Sequence, residues 1–479
     1  MQGASVSLNM TRSPAFDIPA LMMTLDRYPY GCAEQTTSRA LPLLYLSELS
    51  AQAGMADDGE AKKRVQDAIY RVLSYQSSSG SFGLWGPGYG DLWLDAYVTD
   101  FLTRAREQKF DVPEQAMVSA LSNLENGLGY DMNVAERGNE MAYSIYVLAR
   151  NRKAAISDLR YYADTLIDQF PTPLAKAHIA AALSLYGDVQ RSERIFSAAL
   201  SMSSMTVNVS LARSDYGSSL RDGAAVLALA AESRPQPAII PELAKMVARE
   251  WEHSSYTSTQ EQTWLLLAAR ALKNADSDVR VAINGALKSG GYQSRMTGEE
   301  LIGTPVKVTN QGNAPVTAVI TSVASPKEPL TAGGDGFEIQ RSYYTLDGEE
   351  ANISEIRQNE RYLVVLTVKQ TNDWPTRLLI NDLLPAGLEI DNPSLVNSAS
   401  LSNFDWLPEI EPAHVEFRHD RFIAAIDHAT GNDTERTLAY VVRAVTPGVY
   451  THPAASVEDM YRPQFSARTA TGKMEVLAP

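Results

Sequence analysis

Apolar residues follow helical spacing up to about residue 290 and strand spacing after it. Val65, Ile69, Val72 and Leu73 make one amphipathic stripe. Small-residue apolar segments at 95–102, 141–149, 174–185, 223–231 and 263–272 predict closely packed inner helices, with more polar helices between them. They recur at the period of two-helix repeats. Such hairpins can stack into an open solenoid or, six together, close into an α/α toroid. The run 36–49 also predicts a helix, with Leu41, Leu44, Tyr45 and Leu49 on one stripe and Pro42 inside it.

Past residue 290 the pattern turns to alternation and β-branched residues at 305–309, 317–324, 362–369, 414–417, 422–426 and 437–445. His419-Asp420 suits a hairpin turn, and Gly333-Gly334-Asp335-Gly336 reads as a linker. The stretch 337–479 has the size of one antiparallel β-sandwich. The piece 291–332 is too short for its own core, but residues 4–10 alternate like a strand and can pair with it. The helical part would then be an insertion in a β domain. The predicted organisation is residues 1–10, the end of a first β segment; 11–290, the toroid; 291–335, the returning β segment; and 336–479, the sandwich.

Composition changes this picture little. Apolar residues make up 44% and charged ones 21% of the 479 residues, as in ordinary globular chains. No apolar run approaches the roughly 20 residues of a membrane span. A net charge of −15 argues against nucleic-acid binding and against anionic membrane surfaces. The single cysteine excludes disulfides within the chain.

That cysteine is the candidate chemistry. Cys32 stands in Tyr28-Pro29-Tyr30-Gly31-Cys32-Ala33-Glu34-Gln35. Three residues is nearly one helical turn, so Cys32 and Gln35 can meet on one face. A thiolate that attacks the Gln35 amide carbon and expels ammonia leaves an internal thioester. Gly31 is expected where the backbone bends sharply. A helix N-terminus just after Cys32 favours the thiolate, and Glu34 falls in its first turn. Tyr28 and Tyr30 could keep water off the bond. Other readings of a lone cysteine are a small apolar core residue and a protease-type nucleophile, which needs a His and an orienting Asp or Asn. The six histidines, at 178, 253, 414, 419, 428 and 452, all lie far from Cys32 in sequence. They give no metal-ligand spacing either, so no metal and no cofactor is expected.

Gly31-Cys32-Ala33-Glu34-Gln35 resembles the thioester motif of the alpha-2-macroglobulin and complement family, usually Gly-Cys-Gly-Glu-Gln. Pro42, ten residues after Cys32, matches a proline of that family. Gly80-Ser81-Phe82 and Trp93-Leu94-Asp95-Ala96-Tyr97-Val98 resemble its next helices and their connection. The resemblance implies a closed toroid inserted in a CUB-like domain, then a C-terminal macroglobulin-like sandwich. It implies the C-terminal part of a protease inhibitor, with no catalytic turnover. A protease cuts a bait elsewhere, its lysine attacks the Gln35 carbonyl, and Cys32 leaves. Implied partners are endopeptidases and small amines such as methylamine, with the protein a monomer. The absence of disulfides points to a bacterial, periplasmic member with a lipid anchor to the inner membrane on an N-terminal part outside this chain.

The family needs a dry cover over the thioester. Candidates are Tyr28, Tyr30, Trp85, Trp93 and, in a loop at 457–463 that resembles one of bacterial relatives, Met460 and Tyr461. Members that prefer hydroxyl acceptors carry a histidine in a later hairpin. The matching stretch 133–146 has none, and Asn139 stands at that position, so amides to lysine are expected. Two alternatives stay open. One is a non-covalent docking module. The other is a toroidal enzyme like the terpene cyclases, which Gln76-x-x-x-Gly80-x-Phe82 also resembles, although Asp57-Asp58 is no match for their acidic motifs.

Overall fold

The structure is a computed structural model that describes all residues except 1–3, 12–17, 28–30, 47–59, 130–132, 204–212, 255, 272–278, 298–299, 301–304, 314, 325–327, 392–411 and 429–433. Its chain divides into two units, residues 1–325 and 326–479.

In the first unit helices alternate between two rings. The inner ring holds α2 (Ala33–Ala40), α4 (Leu92–Glu107), α6 (Val134–Arg150), α8 (Pro173–Leu185), α10 (Ser219–Glu232) and α12 (Thr259–Ala271). The outer ring holds α1 (Ile18–Arg27), α3 (Ala61–Leu73), α5 (Glu114–Gly127), α7 (Ile156–Tyr161), α9 (Val189–Ser203) and α11 (Ile240–Glu252). Each inner helix packs on the next, and α12 packs back on α2, so the hairpins close as a toroid rather than an open solenoid. Inner helices such as α8 and α10 are buried almost all round, which alanine permits because it lets backbones approach closely. Outer helices bury one stripe: on α3 it is Ala61, Val65, Ile69 and Val72. No described helix is long and apolar enough to cross a membrane.

The first inner helix is shorter than its apolar stripe predicts. It ends at Ala40, and Pro42 opens a 3-10 turn, Pro42–Tyr45. Proline has no N–H to give the α-helical ladder and its ring crowds the preceding turn. The apolar positions still reach the core, because Leu41, Leu44, Tyr45 and Leu46 are all buried.

The chain enters and leaves this ring through a small β layer. Strand β1 (Ser5–Thr11) lies between β4 (Tyr292–Thr297) and β6 (Thr317–Val323), antiparallel to both. A second sheet, β2 (Arg280–Ile283), β3 (Ala286–Ser289) and β5 (Val308–Asn310), supplies Val281 and Ile283 to a core shared with Leu8 and Met10. Strand structure thus starts at Arg280, earlier than the expected change near residue 290.

The second unit is the expected sandwich. Strands β8 (Phe337–Thr345), β10 (Arg361–Gln370), β12 (Leu388–Ile390) and β15 (Glu435–Ala444) form one sheet. The facing sheet has β7 (Gly333–Asp335), β11 (Thr376–Leu383), β13 (His414–Phe417), β14 (Arg421–His428), β17 (Ala455–Asp459) and β18 (Ser466–Arg468). Val364, Leu366, Leu378, Ile380, Tyr440 and Val457 lie in the core between them. A third sheet includes one parallel pair, β9 (Ile356–Arg357) with β19 (Gly472–Leu477). The Gly333–Asp335 segment is not a linker: it pairs with β18 at the sheet edge. A Cβ on Gly334 would come 2.5 Å from the Ala467 Cβ, so glycine is what lets this strand dock.

Gly80 makes a testable point in the first unit. It has φ +94°, and a Cβ there would lie 2.2 Å from the Ser119 carbonyl oxygen on α5. Gly80→Ala is expected to cost about 1–3 kcal/mol from the backbone alone. The check is the urea midpoint followed by the helical far-UV signal; an unchanged midpoint would refute the tight approach.

Candidate functional site

Cys32 forms the N-cap of α2 with extended backbone, φ −64° and ψ 166°. Its carbonyl accepts from Thr36 N–H at 2.9 Å, and its Sγ accepts from Gln35 N–H at 3.3 Å. The one-turn spacing therefore brings the thiol to the Gln35 backbone N–H, and both side chains are buried. Both polar atoms of the Gln35 amide, Oε1 and Nε2, are buried without a hydrogen-bond partner. An orphaned buried polar group ordinarily costs about 1–3 kcal/mol. Conversion to a thioester removes the amide nitrogen as ammonia and replaces the strong amide acceptor by a weak thioester carbonyl. The pocket around Gln35 suits the cross-linked form better than the free amide.

The turn is bracketed by the segment after α3. Tyr75 donates its phenol to the Gly31 carbonyl at 2.8 Å, and its own carbonyl accepts from Gly83 N–H at 3.1 Å. On the other side of Cys32, Ala33 N–H donates to the Leu84 carbonyl at 2.8 Å. That bond satisfies one of the orphan donors at the helix N-terminus. Gly31 differs from expectation. It is not in the left-handed region, and a Cβ there would meet only the Arg71 Nη2 at 3.9 Å. No sharp bend requires glycine in this state.

Glu34 stands in the first turn of α2, as expected, and is fully buried. Its carboxylate accepts from Ser38 Oγ, from Thr259 Oγ1 at 3.1 Å and from Gln260 Nε2 at 2.7 Å. Thr263 also donates to the Ser38 carbonyl at 2.9 Å. These charge-assisted bonds join the first inner helix to the last, so the residue between Cys32 and Gln35 helps close the ring.

The proposed cover residues fall in different places. Tyr28 and Tyr30 lie outside the described residues, as do Asp57 and Asp58. Trp85 is half-buried and follows Leu84 in the segment that touches the Cys32 turn. Trp93 sits in the aromatic core of the ring, 5.2 Å from Tyr97 and 5.2 Å from Tyr216 between ring centres, with the Arg221 guanidinium 5.3 Å from its ring. Tyr97 in turn meets Ser38 Oγ at 2.8 Å. Met460 and Tyr461 follow β17 in the other unit. Met460 is buried and its N–H donates to the Arg377 carbonyl, while the Arg377 guanidinium lies over the Tyr461 ring at 5.8 Å.

Asn139 is on α6, where its Oδ1 accepts from Thr172 Oγ1 at 2.6 Å. His178 is far from a protease-type role. It is wholly buried, stacked on Tyr143 at 4.1 Å, and burial holds it well below its usual pKa, with Arg221 and Arg104 adding to the effect. Gln76 Nε2 donates to the Ala116 carbonyl on α5 at 3.0 Å, a structural anchor for its turn. Tyr75 and the Leu84 carbonyl escape sequence reading, since a backbone carbonyl leaves no residue signature.

Two family models match the chain: the A-macroglobulin TED domain over residues 5–127 and the bacterial alpha-2-macroglobulin MG10 domain over 336–464. Alpha-2-macroglobulin of Escherichia coli K12 is 32% identical over 98% of this chain and 30% of its own length. The protein of that name from Xylella fastidiosa Temecula1 is 31% identical over 99% of this chain and 31% of its own length. The chain thus spans just under a third of the length of these curated relatives. Among solved structures, native alpha-2-macroglobulin from E. coli, spanning domain MG7 to the C-terminus, superposes with a TM-score of 0.86 at 30% identity, over 99% of this chain and 78% of that one. Salmonella alpha-2-macroglobulin reacted with methylamine gives 0.87 at 30% identity, over 100% of this chain and 32% of that one.

Proposed function

The chain belongs to the bacterial alpha-2-macroglobulin family, and from that premise we propose that it is the thioester-bearing part of a covalent protease trap. One observation carries the reading: the Cys32 Sγ accepts from the Gln35 backbone N–H, and the buried side-chain amide of Gln35 has no hydrogen-bond partner.

Formation and capture both balance. The Cys32 sulfur bonds to the Gln35 acyl carbon, and the amide nitrogen leaves as ammonia with the thiol proton. Later an amine nitrogen bonds to that carbon, the C–S bond breaks, and one amine proton ends on the Cys32 sulfur. No group turns over, so the protein acts once and is not a catalyst. In a trap the amine is a lysine of an endopeptidase that has cut a bait elsewhere in the full protein. The methylamine-reacted Salmonella relative supports small amines as substitutes. Asn139, in place of a histidine, favours direct attack by amines and hence amide products. Trp85, Tyr28, Tyr30, Trp93, Met460 and Tyr461 are the proposed cover. A periplasmic, lipid-anchored monomer is the setting proposed for the full protein.

Intact mass tests this directly. The untreated chain is expected one ammonia lighter than its sequence mass. Methylamine adds whole to Gln35, taking the chain from one ammonia below its sequence mass to one methylene above it, and releases one alkylatable thiol at Cys32. A chain at full sequence mass with no uptake, and with Gln35 unhydrolysed, would sink the proposal.

A further inference from the structure

The segment 81–90 touches the Cys32 turn, yet nothing in its own composition fixes it there: four of its ten residues are glycine. Its two ends are gathered at one carboxylate. Asp95, buried on α4, accepts from Phe82 N–H at 2.7 Å and from Ser81 Oγ at 3.0 Å. Asn123 of α5 donates to its other oxygen at 2.7 Å. Gly90 N–H donates to Ser81 Oγ at 2.9 Å, so the far end of the segment returns to the same point. Between those ends, Gly83 N–H reaches the Tyr75 carbonyl and the Leu84 carbonyl receives Ala33 N–H. The glycines make this path possible. A Cβ on Gly90 would lie 2.0 Å from the Phe82 carbonyl oxygen, and one on Gly83 would lie 2.1 Å from that of Gly86.

We propose that Asp95 is a positioning residue for the thioester: it latches the 81–90 segment over the Cys32 turn and so sets how readily nucleophiles reach the bond. The proposal rests on the thioester reading. It follows from the order of contacts. Asp95 fixes Ser81 and Phe82; Leu84 then holds Ala33 directly, and Gly83 holds Tyr75, whose phenol bonds the Gly31 carbonyl.

The latch is sensitive to charge. The segment presents only Ser81 and Phe82 N–H to Asp95, and α5 presents Asn123, all neutral. Asp91, one turn earlier on α4, adds like charge. Burial is the main cause that pushes Asp95 from 3.8 up to about 6. If the segment lifts away, water solvates the carboxylate and its pKa falls back toward the ordinary value. The closed state therefore holds the proton more tightly than the open one. Closure is favoured below about pH 4 to 6 and weakens as pH rises through about 6.

The test is capture kinetics on the whole chain. Methylamine uptake at alkaline pH is compared with the thermal midpoint for wild type and Asp95→Ala. Hydroxylamine, weakly basic enough to leave free base across the range, gives the pH profile. Asp95→Ala is expected to be captured about tenfold faster or more, given that hydrogen bonds to a charged group are lost together. Wild-type capture per free base is expected to rise through about pH 6, and Asp95→Asn, which cannot titrate there, to lose that step. Should Asp95→Ala not fold, Ser81→Ala removes one strand of the latch and is expected to speed capture severalfold. Wild-type rates in the variants, or a pH step that persists in Asp95→Asn, would overturn the latch. A wild-type chain that takes up no amine would instead remove the thioester reading beneath it.

Discussion

Cys32→Ala is expected to abolish methylamine uptake and to return the chain to its full sequence mass. The effect is all or none because a single sulfur both forms and releases the bond. Gln35→Glu supplies the complementary control. It keeps the thiol but has no ammonia to lose, so it too should show full mass and no uptake. The two variants differ in thiol chemistry: Gln35→Glu keeps an alkylatable Cys32 thiol from the start and Cys32→Ala has none, while wild type yields one only after amine treatment. Both should keep the ring, since neither residue supplies the hydrogen bonds that join α2 to α12. Those come from Glu34, Ser38, Thr259, Gln260 and Thr263. Measured uptake in Cys32→Ala would mean that the amine acceptor lies elsewhere.

What could be read in advance was local. Cys32 and Gln35 are legible because their meeting needs only one helical turn. The inner helices are legible because small apolar residues recur along them, and β1 because a lone alternating strand needs a partner. Long-range choices were hidden. Ser81 and Asp95 are 14 residues apart, and Glu34 and Gln260 are 226 apart. In sequence Glu34 is one more acid in a first turn; only the closed ring buries it. Pro42 falls on an apolar stripe, so periodicity carried the helix through it, while the missing N–H ended the helix at Ala40. The Gly333–Asp335 run resembled a linker because a ladder made of backbone alone leaves no side-chain pattern. The same reason hid the Leu84 carbonyl beside Cys32. Polar residues on inner helices were the other blind spot: an alanine-rich pattern marks burial but does not say where the buried charges pair.

Arg104 is one of those buried charges, and Arg104→Met is expected to loosen the whole ring. The guanidinium is buried; its Nε meets Asp100 at 2.9 Å, its Nη1 meets Glu232 at 2.8 Å, and its Nη2 meets the Tyr146 phenol at 3.1 Å. Those partners lie on α4, α10 and α6, and Arg270 of α12 reaches Glu232 at 3.3 Å. Methionine fills the space but strands Asp100, which is fully buried, and a buried pair broken on one side costs about 3–5 kcal/mol. Removing the stranded charge as well, in Arg104→Met with Asp100→Asn, should recover much of the loss. The acid limb gives a second readout. Arg104 and Arg150 overcome burial and hold Glu232 down to about 2 from 4.5. Its stabilisation is therefore complete above about pH 4.5 and lost as pH falls toward 2. Without Arg104 the carboxyl should titrate nearer its ordinary value, so acid unfolding should begin at higher pH. Urea and acid titrations followed by the helical far-UV signal report this unit rather than the sandwich. A loss below about 1 kcal/mol, the range of an exposed pair, with an unchanged acid limb, would show that the ring closes without this network. A loss of the expected size should also shorten the life of the thioester, because α2 holds its place only while α12 and α4 hold theirs.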